Sequence, residues 1–124
     1  MQFRTFNEMT SILAENTPHA LILDWWRRTE SVINYFTIAH YGRRFDTSYQ
    51  AITQLETDPR LDPHVAQALH GLRRIRNAVA HGPRICIAPE DATLYAALAL
   101  RFIGIVGGAV PNDRALNSGA ALVA

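Results

Sequence analysis

The segment Arg76–His81 combines, within a few positions, side chains that suit acid–base chemistry on a phosphate ester. Arg76 carries a permanent cation whose planar guanidinium can bind two phosphate oxygens at once. His81 carries an imidazole, and histidine is the side chain that most readily accepts and releases protons near neutral pH. Asn77 adds an amide that can hydrogen-bond a phosphate or an imidazole. These residue types predict cleavage of a phosphodiester without a metal ion.

RNA is the phosphodiester that fits this set, because its 2'-hydroxyl is a built-in nucleophile. The protein must then supply a base for the hydroxyl proton, an acid for the leaving 5'-oxygen and positive donors for the charge that develops on the phosphate. His81 fits the first two roles, and Arg76 fits the third with Arg73 or Arg74 as an auxiliary. One histidine cannot easily be base and acid in one turnover, so we expect a symmetric dimer.

The segment ends a helix that is predicted to run from Pro63 to about His81. Asp62 is its expected N-cap, and the proline that follows is favourable at the first helical position. Gly82 is expected to be a left-handed terminator, and Pro83 prevents the helix from continuing. This helix therefore presents its reactive side chains in its last two turns.

A helical wheel at about 100° per residue separates two sides of this helix. The expected core stripe consists of Val65, Ala68, Leu69, Leu72, Ile75 and Val79, and the opposite polar face consists of His70, Arg74, Asn77 and His81. Arg76 falls at the edge of the apolar stripe, where its guanidinium needs a carbonyl or acidic partner or must reach a cleft. We expect Arg73, Arg74 and His70 to bind RNA beside the catalytic Arg76, Asn77 and His81.

The rest of the chain is also predicted to be helical. The expected segments run from a capping box at Thr5 and Glu8 to about Asn16, from His19 to about Phe45, from an Asp46 cap to Thr57, from Pro63 to His81 and from Pro89 onward. An alternative for the second segment is a kink or an end at Gly42. This order predicts an all-α bundle of four to five helices. Residues 1–110 should form a single domain, and residues 111–124 a loosely ordered tail.

The second predicted helix has apolar residues on both faces. They recur at helical spacing as Leu21, Ile22, Trp25, Trp26, Val32, Ile33, Phe36 and Ala39. One small domain seldom provides partners for two apolar faces, so this helix predicts a dimer interface. The adjacent tryptophans could stack on nucleobases, but their spacing favours packing in the core or an interface.

Composition narrows the class of protein. A chain of 124 residues with 48% hydrophobic residues describes one ordinary soluble domain. Its net charge of +1 means that affinity for nucleic acid must come from local clusters of arginine. The lone Cys86 excludes an internal disulfide and a thiolate zinc site, and without a signal-peptide pattern it indicates the cytoplasm. The histidine spacing indicates no metal site, and we expect no cofactor.

One segment, 92–110, is apolar enough to raise the question of a membrane span. Arg101 lies at its centre, and a central arginine costs about 2.5–3.5 kcal/mol even on a lenient insertion scale. Its glycines also weaken the second half as a helix. We therefore expect no membrane insertion, but a helix that is buried on most sides in a core or a subunit interface.

The residues Arg76-Asn77-Ala78-Val79-Ala80-His81 resemble the signature of the HEPN superfamily: an arginine, a polar residue and, four to six positions from the arginine, a histidine near the end of a core helix. The resemblance implies an all-helical, up-and-down, usually dimeric fold with metal-independent endoribonuclease activity. It also implies a composite site where two motif helices meet, with catalytic roles for Arg76, Asn77 and His81. Members often act as the toxin of a toxin–antitoxin pair or in phage defence, which makes RNA and an antitoxin protein the expected partners.

Two points of the resemblance stay open. An acidic residue of the long helix assists the site in some members, which makes Asp24 and Glu30 candidates. Pro83 stands where the subfamily paired with minimal nucleotidyltransferase antitoxins has a tyrosine, so that pairing is not implied. The alternative function is a HEPN-like helical dimer that binds RNA, a nucleotide or a protein partner through the same basic face without turnover.

Overall fold

The computed structural model describes residues 5–82 and 86–111, and five α-helices account for most of these two ranges. The helices are α1 (Phe6–Asn16), α2 (Pro18–Tyr41), α3 (Ser48–Leu55), α4 (Pro63–His81) and α5 (Pro89–Gly108). The described residues contain no strand, so the predicted all-α bundle is confirmed. The predicted tail at 111–124 lies outside the described residues except for Pro111.

Two helix starts follow their predicted caps. The Thr5 hydroxyl accepts from the Glu8 backbone N–H at 3.1 Å, and the Glu8 carboxylate accepts from the Thr5 backbone N–H at 3.1 Å, which confirms the capping box of α1. Asp62 accepts from the His64 backbone N–H at 2.8 Å and so caps α4. Both caps satisfy backbone donors that a helix start leaves without an intrahelical partner.

Two boundaries differ from the prediction. α2 ends at Tyr41 rather than near Phe45, because Gly42 adopts a left-handed conformation with φ 68° and its N–H donates to the Ile38 carbonyl. α3 is capped by Thr47 rather than Asp46, since the Thr47 hydroxyl accepts from the Gln50 backbone N–H at 3.1 Å. The cap therefore moves one residue along the chain, and α3 ends at Leu55 rather than Thr57.

The predicted left-handed conformation of Gly82 is wrong. Gly82 is extended, with φ −80° and ψ 175°. The sequence gives a reason, because Pro83 follows it and a residue before proline is pushed from the helical region toward extended geometry. Glycine is still required here, since a Cβ at this position would lie 2.5 Å from the Ala78 carbonyl oxygen.

The central helix of the bundle is α2, which contacts each of the other four helices. Its buried apolar side chains are Leu21, Ile22, Trp26, Ile33 and Phe36. Trp25 packs edge-on against Phe6, with ring centroids 5.5 Å apart, so the predicted packing role of the tryptophans is confirmed. The other four helices cover much of α2, but Leu23, Tyr35 and Ile38 of this helix are 38%, 46% and 51% exposed. The dimer interface predicted along α2 stays a prediction.

The last helix, α5, packs mainly on α2 and α1 through small side chains. Its buried residues are Ala92, Tyr95, Ala96, Ala99 and Val106. The expectation of burial on most sides in the core of the chain is wrong, because Leu94, Leu98, Leu100, Ile105 and Arg101 are exposed, and burial in a subunit interface stays a prediction. No further helix among the described residues covers that side. By length and composition α5 could cross a membrane, a test that core helices of soluble proteins also pass.

The turn between α3 and α4 is held to α2 by one buried carboxylate. Asp58 is 4% exposed and accepts hydrogen bonds from the Tyr41 hydroxyl, from the Arg60 backbone N–H at 2.8 Å and from the Arg60 guanidinium at 2.8 Å. A buried carboxylate is tolerated only when it is paired and hydrogen-bonded in this way. This anchor fixes the start of α4 and therefore the position of the motif.

Candidate active site

A small cleft of about 200 Å³ lies where α4 faces α2 and the start of α3. Its lining residues are Trp26, Thr47, Ser48, Tyr49, Arg73, Arg76 and Asn77. Three residues of the sequence-predicted site, Arg73, Arg76 and Asn77, therefore meet in one concave surface. Two guanidinium groups with an amide and three hydroxyls give the cleft the donors that a phosphate group requires.

Arg76 and Asn77 interact directly within this cleft. The Arg76 Nη1 donates to Asn77 Oδ1 at 3.0 Å, and both side chains are half-buried. The carbonyl partner predicted for a guanidinium at the edge of the apolar stripe is thus the amide oxygen of the next residue. An arginine side chain has five N–H donors. The bond to Asn77 uses one of them and orients the group along the cleft.

The core side of Arg76 is close to a buried phenol. Tyr95 donates from its hydroxyl to the Leu72 carbonyl at 3.0 Å and is 3% exposed. Burial raises the pKa of Tyr95 well above its ordinary value, and the positive charge of Arg76 opposes that rise. Tyr95 is therefore a neutral hydrogen-bond donor that ties α5 to α4 directly behind the cleft.

Arg73 is held in place by two aromatic side chains. Its Nε donates to His70 Nδ1 at 3.4 Å, and its guanidinium carbon lies 5.2 Å from the ring centroid of Tyr49. Because an arginine Nε can only donate, Nδ1 of His70 accepts, and Nε2 carries the proton that faces Glu56 Oε1 at 3.2 Å. This chain of contacts fixes the guanidinium in the cleft.

The predicted exposed position of His70 is wrong. His70 is 8% exposed and its ring lies 5.3 Å from the ring of Tyr49, because α3 packs over this side of α4. The buried side of α4 is therefore rotated about the helix axis relative to the predicted core stripe. Ala66 is buried, whereas Ile75 of the expected core stripe is 47% exposed. In the folded chain the buried His70 accepts the hydrogen bond from Arg73 and does not lie on the exposed surface with Arg74.

His81 and Arg74 lie outside the cleft. Both are exposed, and neither belongs to its lining. His81 follows Asn77 by four positions, so the two side chains occupy neighbouring places on one face of α4. The structure thus brings together Arg73, Arg76 and Asn77, and it leaves His81 one helical turn away at the open end of the helix.

The two acidic candidates of α2 have different surroundings. Asp24 forms exposed ion pairs with Arg27 at 2.8 Å and Arg28 at 3.1 Å. Glu30 accepts a hydrogen bond from the hydroxyl of Ser48, which lines the cleft. Of these two carboxylates, Glu30 is therefore the one that the fold connects to the site.

Sequence reasoning missed the contribution of α3. Thr47, Ser48 and Tyr49 all line the cleft, although none was expected there. The available signal was Tyr49, a large aromatic residue on a short helix whose buried side is formed by Ala51, Ile52 and Leu55. Tyr49 lies off that side and is 57% exposed.

A second concave surface, of about 360 Å³, lies between α4 and α5 and is almost wholly apolar. Its floor includes Leu72 and Tyr95, and its exposed rim includes Ile75, Leu94 and Leu98. The exposed fractions of the three rim residues are 47%, 57% and 36%. We call this surface the α4–α5 groove. Ala78 also lines it, so the groove reaches the last turn of α4, where His81 lies.

Within residues 5–82 and 86–111, no group of three or more histidine, cysteine, aspartate or glutamate side chains is arranged to hold a metal ion. Comparison with known proteins gave no matching family model, no matching curated protein and no matching solved structure. The resemblance to the HEPN superfamily therefore rests on the residues of the motif and on the order of the helices.

Proposed function

We propose that this protein is a HEPN-like, metal-independent endoribonuclease that cleaves RNA by attack of a 2'-hydroxyl on the neighbouring phosphate. The observation that supports it most is the cleft in which Arg76, its partner Asn77 and Arg73 converge. A guanidinium oriented by a neighbouring amide matches the bidentate geometry of a phosphate better than a mobile surface arginine does.

The proposed reaction uses these residues in distinct roles. Arg76 and Arg73 bind the non-bridging phosphate oxygens and stabilise the negative charge that builds on them in the transition state. An imidazole of His81 removes the proton from the 2'-hydroxyl while its oxygen bonds to phosphorus. The bond from phosphorus to the 5'-oxygen breaks, and a second imidazole in its protonated form gives that oxygen a proton. The products are a 2',3'-cyclic phosphate and a 5'-hydroxyl.

The second imidazole in this proposal comes from a second copy of the chain. The α4–α5 groove offers an apolar surface on which two copies could pair. Its exposed rim of Ile75, Leu94 and Leu98 would be removed from water if two copies paired there. Such pairing would set two α4 helices near each other and bring the two His81 side chains toward one shared site.

A second candidate function follows from the position of His81. Because this imidazole lies outside the lining of the cleft, the cleft alone could bind RNA without cleaving it. Binding without turnover would use Arg73, Arg76 and Asn77 in the same way and would leave His81 without a role.

The resemblance extends the proposal to the cell. It implies a toxin or phage-defence component controlled by an antitoxin protein, and the lone Cys86 adds the prediction of a cytoplasmic location. The net charge of +1 agrees with selective rather than general affinity for nucleic acid, because nonspecific binding depends mainly on the number of cationic contacts to phosphates.

Digestion of a mixed RNA substrate by the purified protein in excess EDTA tests the proposed function. Cleavage at the same rate with and without the chelator is the expected result. RNA that is bound but stays intact would contradict the enzymatic proposal and support the binding function. RNA that is neither bound nor cut would contradict both.

A further inference from the structure

A larger cleft, of about 560 Å³, adjoins the cleft of Arg73 and Arg76, and Tyr49 lines both of them. The other lining residues of this second cleft are Arg43, Phe45, Asp46, Gln50, Thr53, Gln54 and Thr57. Its chemistry differs from that of the first. Instead of two guanidinium groups beside one amide, it has one guanidinium, one carboxylate, two amides, several hydroxyls and two aromatic rings.

Tyr49 has the surroundings of a stacking surface. The ring is backed by the His70 ring at 5.3 Å and by the Arg73 guanidinium at 5.2 Å, yet the residue is 57% exposed. A ring fixed from one side and open to solvent can receive a nucleobase without losing further side-chain freedom. Proteins that bind single-stranded nucleic acid commonly combine a cationic groove for the backbone with such aromatic side chains.

The second cleft also has groups that suit the edge of a base. The exposed amide of Gln50 presents a donor and an acceptor, which is what the Watson–Crick and Hoogsteen edges require, whereas the Gln54 amide hydrogen-bonds the Tyr41 hydroxyl. Arg43 stacks on Phe45, with its guanidinium carbon 4.4 Å from the ring centroid. A planar cation held in this way can contact a further phosphate or stack on a base.

We propose that the second cleft is a nucleobase subsite, and that Tyr49 stacks on the base adjoining the phosphate bound by Arg73 and Arg76. This inference rests on the proposed function and identifies its substrate as single-stranded RNA. A base within a double helix is stacked between its neighbours and cannot stack on a protein ring. The residue shared by the two clefts therefore selects unpaired RNA.

Binding of RNA in which every 2'-hydroxyl is methylated tests this subsite, because such RNA lacks the nucleophile and stays intact. The full-length chain would be titrated into labelled single strands and into the matching duplex, with fluorescence anisotropy as the readout. Tyr49→Ala should weaken single-strand binding about 5- to 150-fold, the range for losing one stacked base. Tyr49→Phe keeps the ring and should bind like the wild type.

The control variant is Tyr35→Ala, which removes another exposed tyrosine from α2, outside both clefts, and should leave binding unchanged. In the wild type, an abasic nucleotide scanned along the strand should weaken binding at one position, and that loss should disappear in Tyr49→Ala. The abasic scan of the wild type uses the unaltered protein and does not depend on the folding of a variant. Gln50→Ala should change the preference among the four bases.

Three results would overturn the subsite. Equal binding by wild type and Tyr49→Ala would contradict it while leaving the proposed function intact, because RNA would still be bound. Equal affinity of the wild type for the single strand and the duplex would also contradict the subsite and leave the proposed function intact. A wild-type protein that binds no RNA would contradict the proposed function itself, and the subsite with it.

Discussion

Arg76 and Asn77 are consecutive in sequence, yet their side chains are hydrogen-bonded to each other at 3.0 Å across the wall of the cleft. Consecutive side chains on a helix point about 100° apart and do not normally face each other. The contact therefore requires the Arg76 guanidinium to turn from the core edge toward the cleft. In the proposed function, this hydrogen-bonded pair acts as a single phosphate-binding unit.

Arg76→Ala should lower the cleavage rate by about 10²–10³, the typical cost of removing one positioned donor to a developing negative charge. Arg76→Lys should restore little, because lysine has no planar fork for two phosphate oxygens and cannot be oriented by Asn77 in the same way. Single-turnover kinetics of both variants provides the test. Full activity of the lysine variant would show that charge alone is sufficient and would contradict the bidentate role.

His81→Ala should abolish cleavage and leave RNA binding and thermal stability close to those of the wild type. The side chain is exposed at the end of α4, where a cationic histidine contributes about 0.3–1 kcal/mol at most to helix stability. His64→Ala is the matched control, since His64 is exposed at the other end of the same helix. Loss of activity in both variants, or in neither, would remove His81 from the mechanism.

Leu94→Glu should dissociate the proposed dimer and reduce cleavage with it. A carboxylate buried without a partner costs about 3 kcal/mol or more, which corresponds to association weakened more than about a hundredfold. Leu100→Glu is the control, because Leu100 is exposed on α5 but does not line the α4–α5 groove. Sedimentation and cleavage rates should change only in Leu94→Glu. A wild-type chain that cleaves RNA as a monomer would contradict the shared site.

Tyr41→Phe should lower the free energy of unfolding by about 1.5–3 kcal/mol near neutral pH, the usual contribution of a hydrogen bond to a charged group. Burial alone would raise the pKa of Asp58, but the bonds from Tyr41 and Arg60 and the charge of Arg60 outweigh it and lower that pKa. Because the pKa of Asp58 is lower in the folded state, ionised Asp58 contributes its full stabilisation at pH values above its unfolded-state pKa of about 3.9. This stabilisation is lost as the pH falls through the pKa of Asp58 in the folded state.

Urea unfolding of wild type and Tyr41→Phe at pH 7 and below pH 3 tests the direction of this pKa shift. The difference between wild type and Tyr41→Phe should shrink in acid, because a protonated Asp58 leaves only a neutral hydrogen bond, about half as strong as the charged one. A difference that grows in acid would mean that the Tyr41 bond raises the pKa of Asp58 rather than lowers it.

Helix ends could be predicted from the sequence because local residues determine them. The capping box of Thr5 and Glu8, and the Asp62 cap before Pro63, involve side chains within three residues of the backbone groups they satisfy. Gly42 likewise ends α2 through its own conformation. These signals need no knowledge of the tertiary fold.

The burial of α4 could not be predicted in the same way. Whether His70 or Ile75 faces the core depends on where α3 packs, and α3 is far too short to indicate that from its own sequence. The wheel assigned Arg76 correctly to the core edge but could not show its amide partner or the contribution of Tyr49. Which side chains from separate helices meet can be stated only once the packing of the helices is known. The residues that sequence reasoning missed are of this kind.

The most direct test of the central claim is the chemistry of the cut ends. A DNA strand with a single ribonucleotide, incubated with the protein in EDTA, should be cleaved only after that ribonucleotide. It should leave a 2',3'-cyclic phosphate and a 5'-hydroxyl, and 2'-O-methylation of the same sugar should prevent cleavage. Cutting of the methylated strand, or products that carry a 5'-phosphate, would contradict attack by the 2'-hydroxyl and the roles assigned to Arg76 and His81.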